Sequence, residues 1–189
     1  MIKIGNNLSE FSVYSCQPKT KEELKEIIKK RISEQGNDCD LNDIDVSLIK
    51  DMSWLFYEMD FNGDISKWDV SNVESMNGMF YKSNFNRDIS NWDVSNVNDV
   101  NSMFAYSKFN GDISRWNVSN VENMGSMFAK SKFNQDISRW NVLKVIDMRT
   151  MFYESDFNHD VSKWKINKDC NTTYMFAGCS IKEEFKPKI

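Results

Sequence analysis

The chain has 189 residues, a formal net charge of -4 and an aromatic content of 13%. It has no cluster of lysine or arginine that would release counterions from a nucleic acid, so no nucleic-acid partner is expected. Its longest apolar runs are a few residues, well short of the roughly 20 that cross a bilayer, so no membrane association is predicted.

The first residues, MIKIGNNLSEFSVYSCQ, carry one lysine and no long apolar segment, which is not typical of a secretory signal. We therefore expect a cytoplasmic protein, or a cell-surface protein if a leader has been removed. Four cysteines without CxxC spacing and one histidine favour neither a zinc site nor histidine-based acid–base catalysis. The sequence thus predicts a non-enzyme with no metal or other cofactor, in which the thiols are incidental or structural.

Residues 1–36 are predicted to form an N-terminal arm and a capping helix. A partly alternating pattern over residues 1–17 indicates a short strand or an extended arm, and its apolar members are Ile2, Ile4, Leu8, Phe11 and Val13. Thr20 and Glu23 then form a capping box ahead of apolar residues at helical spacing, which are Leu24, Ile27, Ile28 and Ile32. This helix is expected to end near Gly36 and to cover the first repeat, although an amphipathic helix can also bind a partner.

A 24-residue repeat fills residues 37–180 as six units, the first of them degenerate. Its most regular columns are tryptophan, at Trp68, Trp92, Trp116, Trp140 and Trp164, and phenylalanine, at Phe61, Phe85, Phe109, Phe133 and Phe157. A fixed period of this kind predicts a stack in which each unit buries its apolar face against its neighbours. Residues 181–189 are predicted to be a C-terminal cap, in which a seventh strand begins at Ile181 and is stopped by Pro187.

Within one unit, the spacing of apolar residues predicts a short strand around Lys67–Ser71, with Trp68 and Val70 pointing inward. A helical turn on the opposite side is predicted from the later apolar positions, Val73, Met76, Met79 and Phe80. The tryptophan column could stack on a carbohydrate or nucleotide, and the methionine columns could form a binding surface, but both are better explained as core. Trp54 lies outside the column and is the better candidate for an exposed aromatic residue.

The repeated motif DISxWDVSNVxxMxxMF resembles the BspA-type leucine-rich-like repeats of the DUF285 family of mycoplasmas and other low-GC bacteria. The resemblance covers residues 37–185. It implies an α/β repeat solenoid: a right-handed, leucine-rich-repeat-like coil with a parallel β-sheet on its concave face and short helical turns on its convex face. Many members of the family are surface or adhesion proteins.

Two polar columns are as regular as the core. One is asparagine, at Asn62, Asn86, Asn110, Asn134 and Asn158, and the other is aspartate, at Asp40, Asp64, Asp88, Asp112, Asp136 and Asp160. Their oxygens suit calcium, but they also suit turns in which the side chain accepts backbone N–H groups, with the asparagines forming a ladder between units. We favour the structural interpretation, because calcium-binding repeats usually carry more ligands and glycines per turn.

The outward positions of the predicted sheet vary between units and are the candidate partner-binding site. They are acidic toward one end and basic toward the other, and the candidate residues are Asp43, Asp45, Lys67, Asp69, Asp93, Arg115, Arg139, Leu143, Lys163 and Lys165. A dipolar strip suits docking of a macromolecule in one orientation, although a solvated surface of mixed charge would look the same. The sequence therefore predicts a monomeric protein-binding module, which could mask or inhibit a host or competitor enzyme. The alternative is a surface adhesin that recognises an extracellular protein or glycan.

Overall fold

The computed structural model describes residues 14–188. The alternating segment built on Ile2, Ile4, Leu8, Phe11 and Val13 lies outside these residues. Along the described chain, a short N-terminal segment leads into one α-helix, α1 (Lys21–Gln35), then into the stacked units and finally into a single 3-10 turn, Glu183–Phe185. Within residues 14–188, neither helix is long and apolar enough to cross a membrane.

The predicted capping helix is confirmed. The Thr20 side chain accepts the N–H of Glu23 at 3.2 Å, and the helix ends at Gly36, whose φ of 88° favours glycine. Leu24 and Ile28 are fully buried and belong to the same apolar cluster as the repeat residues. Helix α1 therefore closes the N-terminal end of the core.

The segment before α1 also contacts the first unit. Cys16 forms a parallel bridge with Ile44, the N–H of Ser15 donates to the carbonyl of Asp43 at 2.7 Å, and the N–H of Asp45 donates to Cys16 at 2.9 Å. A short stretch of chain thus lies beside the first unit where the preceding unit of a longer stack would lie.

The predicted α/β fold with a parallel sheet is wrong for the described residues. Neighbouring units are joined by isolated parallel bridges, chiefly through one column: Asp51, Ser75, Asp99, Asn123, Asp147 and Asn171. Within residues 14–188, no extended strand forms at Lys67–Ser71 or at Ile181, and the C-terminal cap holds the 3-10 turn instead.

Local turns explain why the strand around Trp68 does not form. The Asp64 side chain accepts the N–H of Ser66 at 2.9 Å, and the Asp69 side chain accepts the N–H of Ser71 at 3.1 Å. Between these two turns, the N–H of Trp68 is bonded within its own unit at 3.2 Å. These backbone donors are satisfied locally, so they are not available for a ladder between units.

The predicted helical turn at Val73, Met76, Met79 and Phe80 is also wrong. Every second N–H there donates to a carbonyl of the next unit at 2.8–2.9 Å, and the donors are Met76, Gly78, Phe80 and Lys82. Gly78 and Lys82 have φ values of 59° and 53°, and the same two columns are left-handed in the other units. A helix needs consecutive right-handed residues, so two left-handed residues four positions apart prevent it, and the N–H groups form a hydrogen-bonded ladder between units instead.

The core predictions are confirmed. The column tryptophans Trp68, Trp92, Trp116 and Trp140 are 4% exposed, and the nine methionines at the repeat positions are buried. Each indole N–H donates to a backbone carbonyl of the preceding unit, as Trp116 does to Ile89 at 3.1 Å. Phenylalanine rings stack through the centre, with 4.2 Å between the centroids of Phe104 and Phe109. Repetition therefore produces one continuous aromatic core.

All four cysteines are free. Cys179 takes the column position of four buried serines, Ser83, Ser107, Ser131 and Ser155, and its thiol donates to the carbonyl of Phe157 at 3.1 Å. Unlike those serines, Cys179 is only half-buried, and its hydrogen bond to Phe157 gives this thiol a structural contact in the turn.

Candidate partner-binding face

Eight of the ten candidate residues lie together on one exposed surface, which we call the charged face. Trp68 and Val70 point inward and are buried, so the residues beside them in every unit point outward. The exposed members are Lys67, Asp69, Asp93, Arg115, Arg139, Leu143, Lys163 and Lys165.

The other two candidates, Asp43 and Asp45, are engaged within the chain. Arg31 of α1 forms an ion pair with Asp43 at 2.7 Å, and Gln17 donates to Asp45 at 2.6 Å. The pKa of Asp43 is lowered by a hydrogen bond from Ser15 and, to a smaller extent, by Arg31. Together these effects outweigh partial burial, which raises it. Both carboxylates are half-buried at the N-terminal end of the face, so a partner would have to compete with these internal contacts.

One column of the face also has a structural task that the sequence did not reveal. The side chains of Asp69, Asp93, Asn117 and Asn141 each accept the backbone N–H two residues later, at 3.0–3.3 Å. Hydrogen bonds from Ser95 lower the pKa of Asp93. These residues therefore set the turn that presents the neighbouring column.

The basic residues of the face have no ion-pair partner among the described residues. Elsewhere, four lysines pair with an acid at the same column of the adjacent unit, in Lys50–Glu74, Lys82–Glu58, Lys130–Glu154 and Lys132–Asp156, although others such as Lys108 form no ion pair among the described residues. On the face, the column holding Arg115 carries a cation in three consecutive units, Arg115, Arg139 and Lys163. Like charges on adjacent units repel, and Asp112, Asp136 and Asp160, which form no ion pair with them among the described residues, offset part of this repulsion.

The aspartate column next to the face is structural, as we favoured. The side chain of each aspartate accepts the backbone N–H of the residue two positions later, at 2.8–2.9 Å. The acceptors are Asp40, Asp88, Asp112, Asp136 and Asp160. The asparagine ladder is confirmed as well, because each side-chain oxygen accepts the N–H of the next asparagine, as Asn86 does for Asn110 at 2.8 Å. Within residues 14–188, no group of three His, Cys, Asp or Glu is arranged to hold a metal ion.

Comparison with known families agrees with the repeat pattern. A family model described as "Mycoplasma protein of unknown function, DUF285" matches residues 23–131 and 105–187. The chain belongs to the DUF285 family. No curated protein and no solved structure matches it.

The DUF285 match begins inside α1 and ends in the C-terminal cap, so the family pattern includes both ends of the stack. One feature of this DUF285 chain was only partly predicted. Trp54 is exposed, as expected, but it also lies against Tyr57 and Tyr81, a contact that was not predicted. These residues belong to adjacent units, and the 24-residue offset between Tyr57 and Tyr81 was the available signal.

Proposed function

We propose that the chain is a non-catalytic module that binds a protein partner through the charged face. The observation that carries this proposal is the run Arg115, Arg139 and Lys163, three stacked cations without an ion-pair partner among the described residues. At four places off the face, the same kind of stacking brings opposite charges together. A column of like charges is unfavourable in the free protein and becomes favourable when acidic groups of a partner approach it.

The charged face also has a direction. Asp69 and Asp93 lie in the earlier units, and Arg139, Lys163 and Lys165 lie in the later ones. A partner with the opposite polarity would be steered into a single orientation, and its association rate would fall as salt screens the charges. The partner we propose is therefore a protein with an acidic patch at one end of its contact surface.

Rigid presentation supports binding by this surface. The turns at Asp93, Asn117 and Asn141 are held by side-chain hydrogen bonds, and the residues beneath them are buried. Little conformational entropy is lost on binding when the backbone is already ordered. If the covered part of the partner includes the active site of an enzyme, the module inhibits that enzyme, and an activity assay on the captured partner tests this role.

The experiment reverses the charge of the run. Replacing Arg115, Arg139 and Lys163 with Glu should preserve folding, because exposed side chains contribute little to stability. Proteins retained from a lysate of the source cell by the wild-type chain should be lost by this variant, and wild-type retention should weaken with added salt.

The matched control reverses three exposed lysines outside the face, Lys19, Lys108 and Lys188, which form no ion pair within residues 14–188. It makes the same change in net charge and should retain the same proteins as wild type. Loss of those proteins in the control, with retention by the face variant, would show that binding uses another surface.

A further inference from the structure

A second exposed surface lies in a different part of the 24-residue unit. It consists of Trp54, Tyr57, Tyr81 and Tyr106, which we call the aromatic cluster. Trp54 is 41% exposed, whereas the five column tryptophans are 4–5% exposed. Tyr57 and Tyr106 are also exposed, so the cluster is not an extension of the core.

The rings form one continuous surface across three units. The Trp54 ring lies 5.5 Å from Tyr57 at an interplanar angle of 76° and 5.8 Å from Tyr81 at 60°. Tyr57 and Tyr81 stack at 5.6 Å, and Tyr106 follows Tyr81 at 5.5 Å. The first three rings line an open concavity of about 440 Å³.

The position of Trp54 is unfavourable for folding alone. Its φ is 60°, a left-handed conformation that is costly for a bulky residue; the next four units hold Gly78, Ser102, Ser126 and Thr150 at this column, and an aromatic residue returns only in the last unit, at Tyr174. The adjacent unit makes room for the ring, because a Cβ on Gly78 would lie 2.4 Å from two of its atoms. Tryptophan at this place therefore adds an exposed indole that lies outside the buried aromatic core.

Polar groups of both kinds stand at the rim. The Lys82 ammonium lies 2.9 Å from a Glu58 oxygen and 5.6 Å from the centre of the Tyr81 ring. A hydrogen bond from Lys82 lowers the pKa of Glu58. The rim is therefore neutral overall, and it offers an acceptor and a donor next to exposed aromatic faces.

We propose that the aromatic cluster binds a neutral saccharide, with a pyranose ring against Trp54 and hydroxyl groups on Glu58 and Lys82. A pyranose ring has an apolar C–H face that packs on an aromatic ring, and its hydroxyls both donate and accept hydrogen bonds. Sites of this kind combine an aromatic lining with a few polar groups that fix orientation. This site is independent of the charged face and of the protein partner proposed above.

Other ligands for an aromatic surface fit less well. A quaternary ammonium would be repelled by the Lys82 ammonium, which already lies 5.6 Å from the centre of the Tyr81 ring. A proline-rich peptide offers few N–H donors beside Glu58, because proline has no N–H. A saccharide offers hydroxyl groups that can both donate to Glu58 and accept from Lys82, beyond the hydrogen bond that already joins the pair.

The test uses cellohexaose, maltohexaose and chitohexaose as probes, with a proline decamer and choline chloride as competing chemistries. Trp54 is the exposed tryptophan, so a bound sugar should change the intrinsic fluorescence and protect it from quenching by acrylamide. Affinities are measured by saturation-transfer NMR, which does not depend on the indole. Binding of at least one hexasaccharide is expected, with a dissociation constant on the order of 1 mM.

The decisive comparison is Trp54→Gly against Tyr174→Gly. Both residues are exposed, left-handed members of one column at opposite ends of the stack, so each change removes an aromatic ring at a position that glycine tolerates. Trp54→Gly should weaken saccharide binding at least about tenfold, and Tyr174→Gly should leave it unchanged. The proposal is overturned if no hexasaccharide binds, if Trp54→Gly binds like wild type, or if the proline decamer or choline binds in place of the sugars.

Discussion

Truncation of one phenylalanine column at two places tests whether the units form a single continuous core. Phe128 is fully buried in the middle of the stack, where its ring lies 4.0 Å from Phe133, 5.6 Å from Phe152 and 5.9 Å from Phe104. Phe176 stands at the same column of the last unit and is half-buried, with Phe152 at 5.4 Å as its ring neighbour among the described residues.

The expected magnitudes follow from this difference in packing. Phe128→Ala leaves a closed cavity between units, and such truncations lower the free energy of unfolding by about 3–5 kcal/mol. Phe176→Ala removes a ring that is packed on one side, so the loss should be near the value for partial transfer from water, about 2 kcal/mol or less. Urea unfolding, followed by circular dichroism and by tryptophan fluorescence, measures both.

If Phe128→Ala does not fold, Phe128→Leu and Phe176→Leu should keep the same order, with losses below about 1.5 kcal/mol. The reasoning would be refuted if the two positions lost the same unfolding free energy to within about 0.5 kcal/mol. The phenylalanine column would then have the same environment in the middle of the stack and at its end.

Three further predictions concern polar groups. Calcium or EDTA should shift the melting temperature by less than about 1 °C, because the Asp64 column already accepts backbone N–H groups; a shift of several degrees in differential scanning fluorimetry would reject this. The pKa of Asp136 is lowered mainly by the hydrogen bond from the Ser138 backbone, so its contribution to stability is present above about pH 4 and is lost as pH falls through the folded-state pKa. Asp136→Asn keeps the acceptor and should show a smaller loss in urea midpoint between pH 7 and pH 3; a loss equal to wild type would count against this assignment. Trp92→Phe leaves the carbonyl of Ile65 without its indole donor and should lower the unfolding free energy by about 1–3 kcal/mol. Trp54→Phe, the control, should lower it by less than about 0.5 kcal/mol. Equal effects of the two changes in urea titrations would be inconsistent with the Trp92–Ile65 hydrogen bond.

The sequence predicted which side chains point inward but not the backbone that carries them. The burial of Trp68 and Met76 follows from a period that every unit repeats, because an apolar column must be covered by its neighbours. The period of the apolar residues does not specify φ. The spacing of the apolar residues from Val73 to Phe80 is compatible with a helix, but also with other backbone conformations that point the same side chains inward. The left-handed residues Ser102 and Ser126 carry no glycine signal, so their conformation could not be predicted.

The candidate site shows a similar division. Exposure of Lys67, Arg115 and Arg139 was predictable from their place beside inward tryptophans. The engagement of Asp45 by Gln17 was not, because Gln17 lies before α1 and outside the repeat register. The turn-forming role of Asp93 was also missed, since an Asp followed two residues later by Ser can be a free surface residue or an Asx turn.

Photo-crosslinking from the charged face tests the proposed binding surface most directly. Asn91 is exposed on the face between Lys67 and Arg115 and makes no side-chain hydrogen bond within residues 14–188, so a photoreactive residue there should not disturb the turns. The same residue at Lys108, which is exposed outside the face, is the control. Irradiation in a lysate of the source cell should give a partner adduct from position 91 that weakens with salt, and none from position 108. An adduct from position 108 with none from position 91 would contradict the account.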